Sequence, residues 1–268
     1  VAITGVDSLI AGLLAPREVS KAAFTGEAAG ERHSSFYLAG LPGAAAAPSP
    51  GVNGAALTTY AGQIDFPAAV SGANVYLAGL DVVQGANVGS VALLDRLWHN
   101  SGLTVTTTTS QSITSPAWPA RDIAGSTNGA GIGVAIEVST ATTNGSAITN
   151  TTLSYTNSDG TAGKTGTITS FPATAVAGTF VPFALAAGDK GVRSVQSVTL
   201  GTSYGGGAIH LVAYRPIAVV GTPVAGVSVP LAPGRPVRMY DTSVPWLVYV
   251  LAGTAGGVVS ALVQYTQG

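Results

Sequence analysis

The sequence predicts an all-β chain, an antiparallel β-sandwich of jelly-roll-like type with an extended N-terminal arm that carries a short helix. Three observations lead there. Runs rich in valine, threonine and isoleucine recur along the chain, and β-branched side chains fit a pleated sheet better than a helix. Turn-forming clusters such as Asn100-Ser101-Gly102, Asn144-Gly145 and Asp159-Gly160 separate the runs every dozen residues or so. No long helical periodicity lies between them, and no fixed-period repeat is present.

The elements follow in order. Residues 1–62 read as the arm. Asp7-Ser8 caps a helix through Ser8 to Leu14, which Pro16 stops. A further helical turn is expected over Arg17 to Phe24. Leu41 to Gly51 has prolines at both ends and reads as an extended connector rather than an alanine helix. The arm has two expected courses: a strap packed on its own chain, or a strap reaching a neighbouring subunit.

Residues 63–268 read as the sandwich. Asn74 to Leu80 is its first strand. Val91 to Trp98 and the threonine-rich Leu103 to Ile113 are expected to form a strand pair about the turn at Asn100. Trp118 to Asp122 reads as a surface loop. Gly133 to Val138 is a strand, and Asn144-Gly145 signals a hairpin turn before Ile148 to Tyr155. Asp159-Gly160 signals another turn, before Thr165 to Thr169. Pro182 places Phe180 to Leu185 on an edge. Val192 to Leu200 and Ala208 to Tyr214 follow as strands, separated by Tyr204 to Gly207. Val244 to Val263 is long and apolar enough to resemble a membrane span. Pro245 and the centre Gly253-Thr254-Ala255-Gly256-Gly257 instead split it into Trp246–Leu251 and Val258–Tyr265, expected to close the domain as a hairpin.

Composition narrows function. Charged residues are 9% of the 268, against a usual share of about 25%, and 46% are apolar. So few charges leave a neutral surface that tends to associate. The net charge of −1 gives no electrostatic reason to bind nucleic acid. Without cysteine, disulfides and thiolate metal sites are impossible. The start, Val1 to Gly5, lacks the basic region of a secretory signal. No cofactor is expected.

The motifs with a chemical flavour fail their tests. Gly201-Thr202-Ser203-Tyr204-Gly205 has nucleophile-elbow spacing, but a glycine-rich loop and a β-run follow the serine where a helix is needed. Gly160-Thr161-Ala162-Gly163-Lys164-Thr165 is two residues short of a phosphate loop and also lacks the following helix. His33, His99 and His210 are too scattered to ligate a metal together and read as structural or surface residues. Arg121-Asp122, Asp95-Arg96 and Asp189-Lys190 read as turn or interface ion pairs. A sugar platform is conceivable at Trp98, Trp118 and Trp246, of which only Trp118 lies in a loop.

Five phrases remain: Leu94 to Leu103, Pro119 to Asp122, Tyr155-Thr156-Asn157, Gly191 to Ser194 and His210 to Tyr214. With them the chain resembles virion structural proteins of tailed bacteriophages over roughly residues 63–268. The resemblance implies a virion component made in the host cytoplasm, and transfers no active residue. It implies a head decoration (cement) protein, with a tail, neck or baseplate ring protein or a glycan- or receptor-binding module as alternatives. The expected partners are copies of the chain and other virion proteins, foremost the major capsid protein, with neither nucleic acid nor membrane. Leu9, Leu13, Leu14, Phe24, Trp246, Val248 and Val259 are the expected assembly contacts.

Overall fold

The computed structural model describes residues 2–67, 70, 72–231 and 237–268. The chain is almost wholly β. In order it forms α1 (Val6–Ala11), β1 (Arg17–Lys21), β2 (Arg32–Ser34), a 3-10 turn (Ser35–Tyr37), β3 (Gly40–Leu41), β4 (Ala55–Ala56), β5 (Val75–Gln84) and β6 (Val88–His99). Then come β7 (Gln111–Ser112), β8 (Gly133–Thr140), β9 (Thr151–Asn157), β10 (Lys164–Ile168), β11 (Phe180–Pro182) and β12 (Val192–Thr199). The chain ends with β13 (Ala208–Gly221), β14 (Val229–Pro230), β15 (Val237–Met239), β16 (Pro245–Leu251) and β17 (Val259–Gln267).

The sandwich is built from three antiparallel sheets. A seven-stranded central sheet runs β11-β8-β13-β6-β16-β2, with β4 added to β6. A six-stranded sheet runs β14-β5-β17-β1-β3, with β15 added to β5, and a four-stranded sheet runs β10-β9-β12-β7. Long strands make the central sheet wide enough to be shared. Strand β6 sends Val91 and Leu93 into a core with Leu80, Val82, Val259 and Val263 of the six-stranded sheet. Further along, Leu97 and Trp98 join Leu153, Val195 and Val198 of the four-stranded sheet in a second core. The register between β6 and β13 shifts at Ala213/Tyr214, a bulge that lets the neighbours Leu97 and Trp98 enter the same core. Pro216, which has no N–H to give a ladder, sits at the second register shift of β13. A third core, under the arm, packs Phe36, Ala45 and Leu57 on Leu94, Trp246 and Val248.

Several sequence expectations change here. The arm packs on its own chain: β1 pairs with β17, β2 with β16, and β4 with β6. Arg17–Lys21 is a strand rather than a helical turn, because Val19 and Lys21 point inward against the open edge of β17. Leu103 to Ser110 forms no strand: beyond Gly102, whose φ of +74° suits glycine, this run has no ladder partner. Leu103 and Val105 pack on the core, but the threonines around them have strand propensity and no ladder to join. The closing hairpin is also corrected. Both runs are strands, but β16 lies between β6 and β2 while β17 lies between β5 and β1. Each has both edges occupied, so 252–258 crosses from one sheet to another. Asn144-Gly145 and Tyr204 to Gly207 likewise connect different sheets, whereas β9 and β10 do form the hairpin that Asp159-Gly160 signals. Strand β11 is at a sheet edge, where Pro182 placed it.

Candidate functional site

Alternation along β6 separates Asp95 from Arg96, since successive side chains of a strand face opposite sides. Asp95 is fully buried on one face of the central sheet. It accepts from Arg121 Nε at 3.1 Å and Nη2 at 3.2 Å, from Ser243 Oγ at 3.0 Å and from the Val244 amide at 2.8 Å. Arg215 Nη2 approaches it at 3.4 Å. Arg121 also donates to the carbonyls of Leu57 and Arg96 at 2.8 and 2.9 Å, tying the arm to this node.

On the opposite face Arg96 makes a bidentate pair with Glu137, at 3.0 and 2.7 Å, beneath the Phe36 and Trp246 rings. Burial would raise the Glu137 carboxyl, but the Arg96 guanidinium outweighs it and holds it below the usual range. Arg96 Nε meets His99 Nδ1 at 3.2 Å. Burial, then the positive charge of Arg96, pushes His99 down to about 2, so this histidine is neutral. His33 pairs with Glu27 and stacks on Phe24 at 3.9 Å. Breaking any such buried pair by removing one partner typically costs about 3–5 kcal/mol, because the other charge is left unpaired.

These nodes are structural. The expected surface loop at Trp118 is buried: Trp118 donates to the Val192 carbonyl at 2.7 Å, and Asp122 accepts from Ala124, Ser126 and Ala130 to fold the loop that follows. Trp98, Trp118 and Trp246 are all inside, so none offers a platform to sugar. Neither Asp95-Arg96 nor Arg121-Asp122 pairs within itself: Asp95, Arg96 and Arg121 have distant partners, and Asp122 holds the loop that follows it. Asp189 lies 3.7 Å from Lys164 rather than pairing with Lys190. His210 is turned away from Ser203. Its Nδ1 meets the Asn100 carbonyl at 2.8 Å and its Nε2 meets Ser139 Oγ at 2.7 Å, a clasp between β13 and β8 that lines none of the described cavities. Among the described residues no group of three or more His, Asp or Glu is placed to hold a metal, and no helix is long and apolar enough to cross a membrane.

The burial of charge shapes the surface. Lys21, Glu27, Asp95, Arg96, Arg121, Asp122, Glu137 and Arg215 are all inside, out of only 11 basic and 12 acidic residues. What remains outside is about as poor in charge as the sequence. Phe24, Trp246, Val248 and Val259, expected as assembly contacts, are buried in the chain's own cores, and Leu9 and Leu14 are half-buried. Only Leu13 of that set is exposed. Apart from Leu41, Ile123 and Val219, the exposed aliphatics of the described residues form two groups at opposite ends of the six-stranded sheet. Val6, Ile10 and Leu13 with Val70 lie beside the Val75 and Gln267 ends of β5 and β17. Val83, Val224, Val227 and Val258 lie at the other end, which sequence reasoning missed. One signal was available: no charged residue occurs between Asp81 and Asp95, between Arg215 and Arg235, or after Asp241.

No known protein family and no curated protein matches the sequence. Among solved structures, a VP2 subviral particle of infectious bursal disease virus aligns with 99% of this chain and 83% of that chain, at 12% identity and a TM-score of 0.18. T=1 particles derived from the same virus align with 95% of this chain and 78% of that chain, at 11% identity and a TM-score of 0.16. TM-scores this low establish no common fold.

Proposed function

We propose that the chain is a non-enzymatic virion structural protein that works by association. The observation that carries this reading is the surface: a chain with 9% charged residues buries many of them and leaves aliphatic groups exposed at two ends. Such a surface gains from being covered by protein. The resemblance to tailed-bacteriophage virion proteins supplies the setting, and head decoration on the major capsid protein is the reading favoured within it. A tail, neck or baseplate ring is the alternative. The buried tryptophans take away the platform on which the glycan-binding reading rested.

Mass spectrometry and cryo-EM of purified particles from the virus that encodes the chain test this. The chain should be a stoichiometric part of the particle: hundreds of copies mean the head, and six to a few dozen, as rings of a virion require, mean the neck or baseplate. Its absence from purified particles would refute the proposal.

A further inference from the structure

The charge-free segments converge in space. Residues 84–88, 222–227 and 252–258 meet where β5, β13 and β17 reach the same end of the sandwich. Backbone hydrogen bonds tie them together: Gly226 N donates to Gln84 O at 2.8 Å, Gly85 N to Val258 O at 2.7 Å and Gly257 N to Ala86 O at 2.8 Å. Asn87 adds a side-chain bond to Thr254 O at 3.0 Å. The tip is also fixed from beneath, since a side chain at Gly256 would run into the Phe24 ring. It exposes Val224, Val227 and Val258 at 56%, 49% and 50%, with Val83 at 37% beside them. A cavity of about 320 Å³ opens between the loops, lined by apolar residues such as Ala86, Val88 and Ala225 and by the uncharged polar Gln84, Asn87 and Thr222, with no charged residue.

We infer that this tip is the contact by which copies of the chain meet about a rotation axis. The inference rests on the proposed structural role and names its surface. Two arguments select a second copy as the occupant. At a two-fold axis the residues nearest the axis meet their own images, so a charge there is set against itself. A surface without charge escapes that repulsion, and this tip is such a surface. The neighbouring outer face of the same sheet is not, because Glu18 and Asp81 flank Leu262 across three strands. Second, the tip lacks what other partners use. Among the described residues it has no cation for nucleic acid or anionic lipid and exposes no Trp, Tyr or Phe to seat in a bilayer interface. Because the loops are already cross-linked, docking orders little chain.

Sedimentation velocity on the full chain tests it, comparing wild type with Val224→Asp and Val258→Asp. Both positions are half-exposed, so the new carboxylate is solvated in the single subunit, and an unchanged thermal melt confirms the fold. Ile10→Asp at the opposite end is the control. The expected result is association of wild type and of the control, with each tip variant needing about tenfold more protein or beyond, roughly the loss of one well-buried contact. Tip variants that associate like wild type would overturn the tip as the contact and leave self-association standing. A wild type monomeric at every concentration would overturn the tip contact and, with it, the reading of the chain as self-associating. Wild type that instead binds neutral phosphatidylcholine vesicles, with the tip variants losing that binding, would replace the second copy with a membrane.

Discussion

Asp95 and Arg96 are neighbours in sequence that serve opposite faces of one sheet, and the chain places its few charges in this manner throughout. The ions of the central sheet are held by partners far away in sequence: Asp95 by Arg121, Arg96 by Glu137. This has a consequence for pH. His99 titrates near 6.5 when unfolded and is held down to about 2 by burial and Arg96, and burial also lowers His210. Below pH 6.5 the unfolded chain therefore binds protons that the folded chain refuses, so stability falls as the pH falls. Glu137 and Asp122 are held below the ordinary carboxylate range, so they add a loss of the same sign as the pH drops through that range. His99 contributes a slope of about 1.4 kcal/mol per pH unit below its unfolded pKa, and His210 adds to it in the same direction. The melting temperature should start to fall near pH 6.5, before carboxylates titrate, and His99→Gln should fall less steeply between pH 6 and 5, a window about one pKa unit wide. An equal slope in both proteins would show that His99 is not held neutral by the fold. The sequence disclosed these ions but not their partners: Trp118 to Asp122 looks like a surface loop because it breaks the β pattern at Pro119, and only the assembled sheets reveal the carboxylate waiting for Arg121.

At the scale of elements, the strands were legible and their pairing was not. Val91 to Trp98, Gly133 to Val138 and Trp246 to Leu251 announce themselves by β-branched and aromatic content. Their neighbours come from afar, as when Trp246 aligns with Leu94 and Lys21 with Val259. Turn signals favour the nearest partner, which is why residues 244–263 looked like a hairpin, and they carry no information about an edge already filled from the N-terminus. The arm shows the same limit. Its short segments have weak patterns of their own and become strands on ladders that the later chain supplies. Deleting residues 1–50 should therefore abolish cooperative folding, since it strips β1 and β2 from the strands they pair with and removes Val19, Phe24, Phe36 and Ala45 from the two cores they complete. Circular dichroism and a thermal melt of the truncated chain check this. A cooperative transition at the wild-type temperature would show that the arm is dispensable to the sandwich.

For the whole molecule, the argument is one of solubility. A sandwich that places Asp95, Arg96, Arg121, Asp122, Glu137 and Arg215 inside has few charges left to keep copies apart. The composition made this visible from the start. It could not show where the neutral surface is concentrated, because the three charge-free segments are brought to one end only by the sheet topology. An apolar contact is distinguished from an ionic one by salt, which screens ion pairs and leaves aliphatic burial intact or strengthened. Sedimentation of the purified chain over a wide concentration range, at low salt and near 1 M, where the screening length is about 3 Å, puts this to the test most directly. The account predicts concentration-dependent association that persists or strengthens in high salt. A compact monomer at every concentration, or association that salt dissolves, would contradict it.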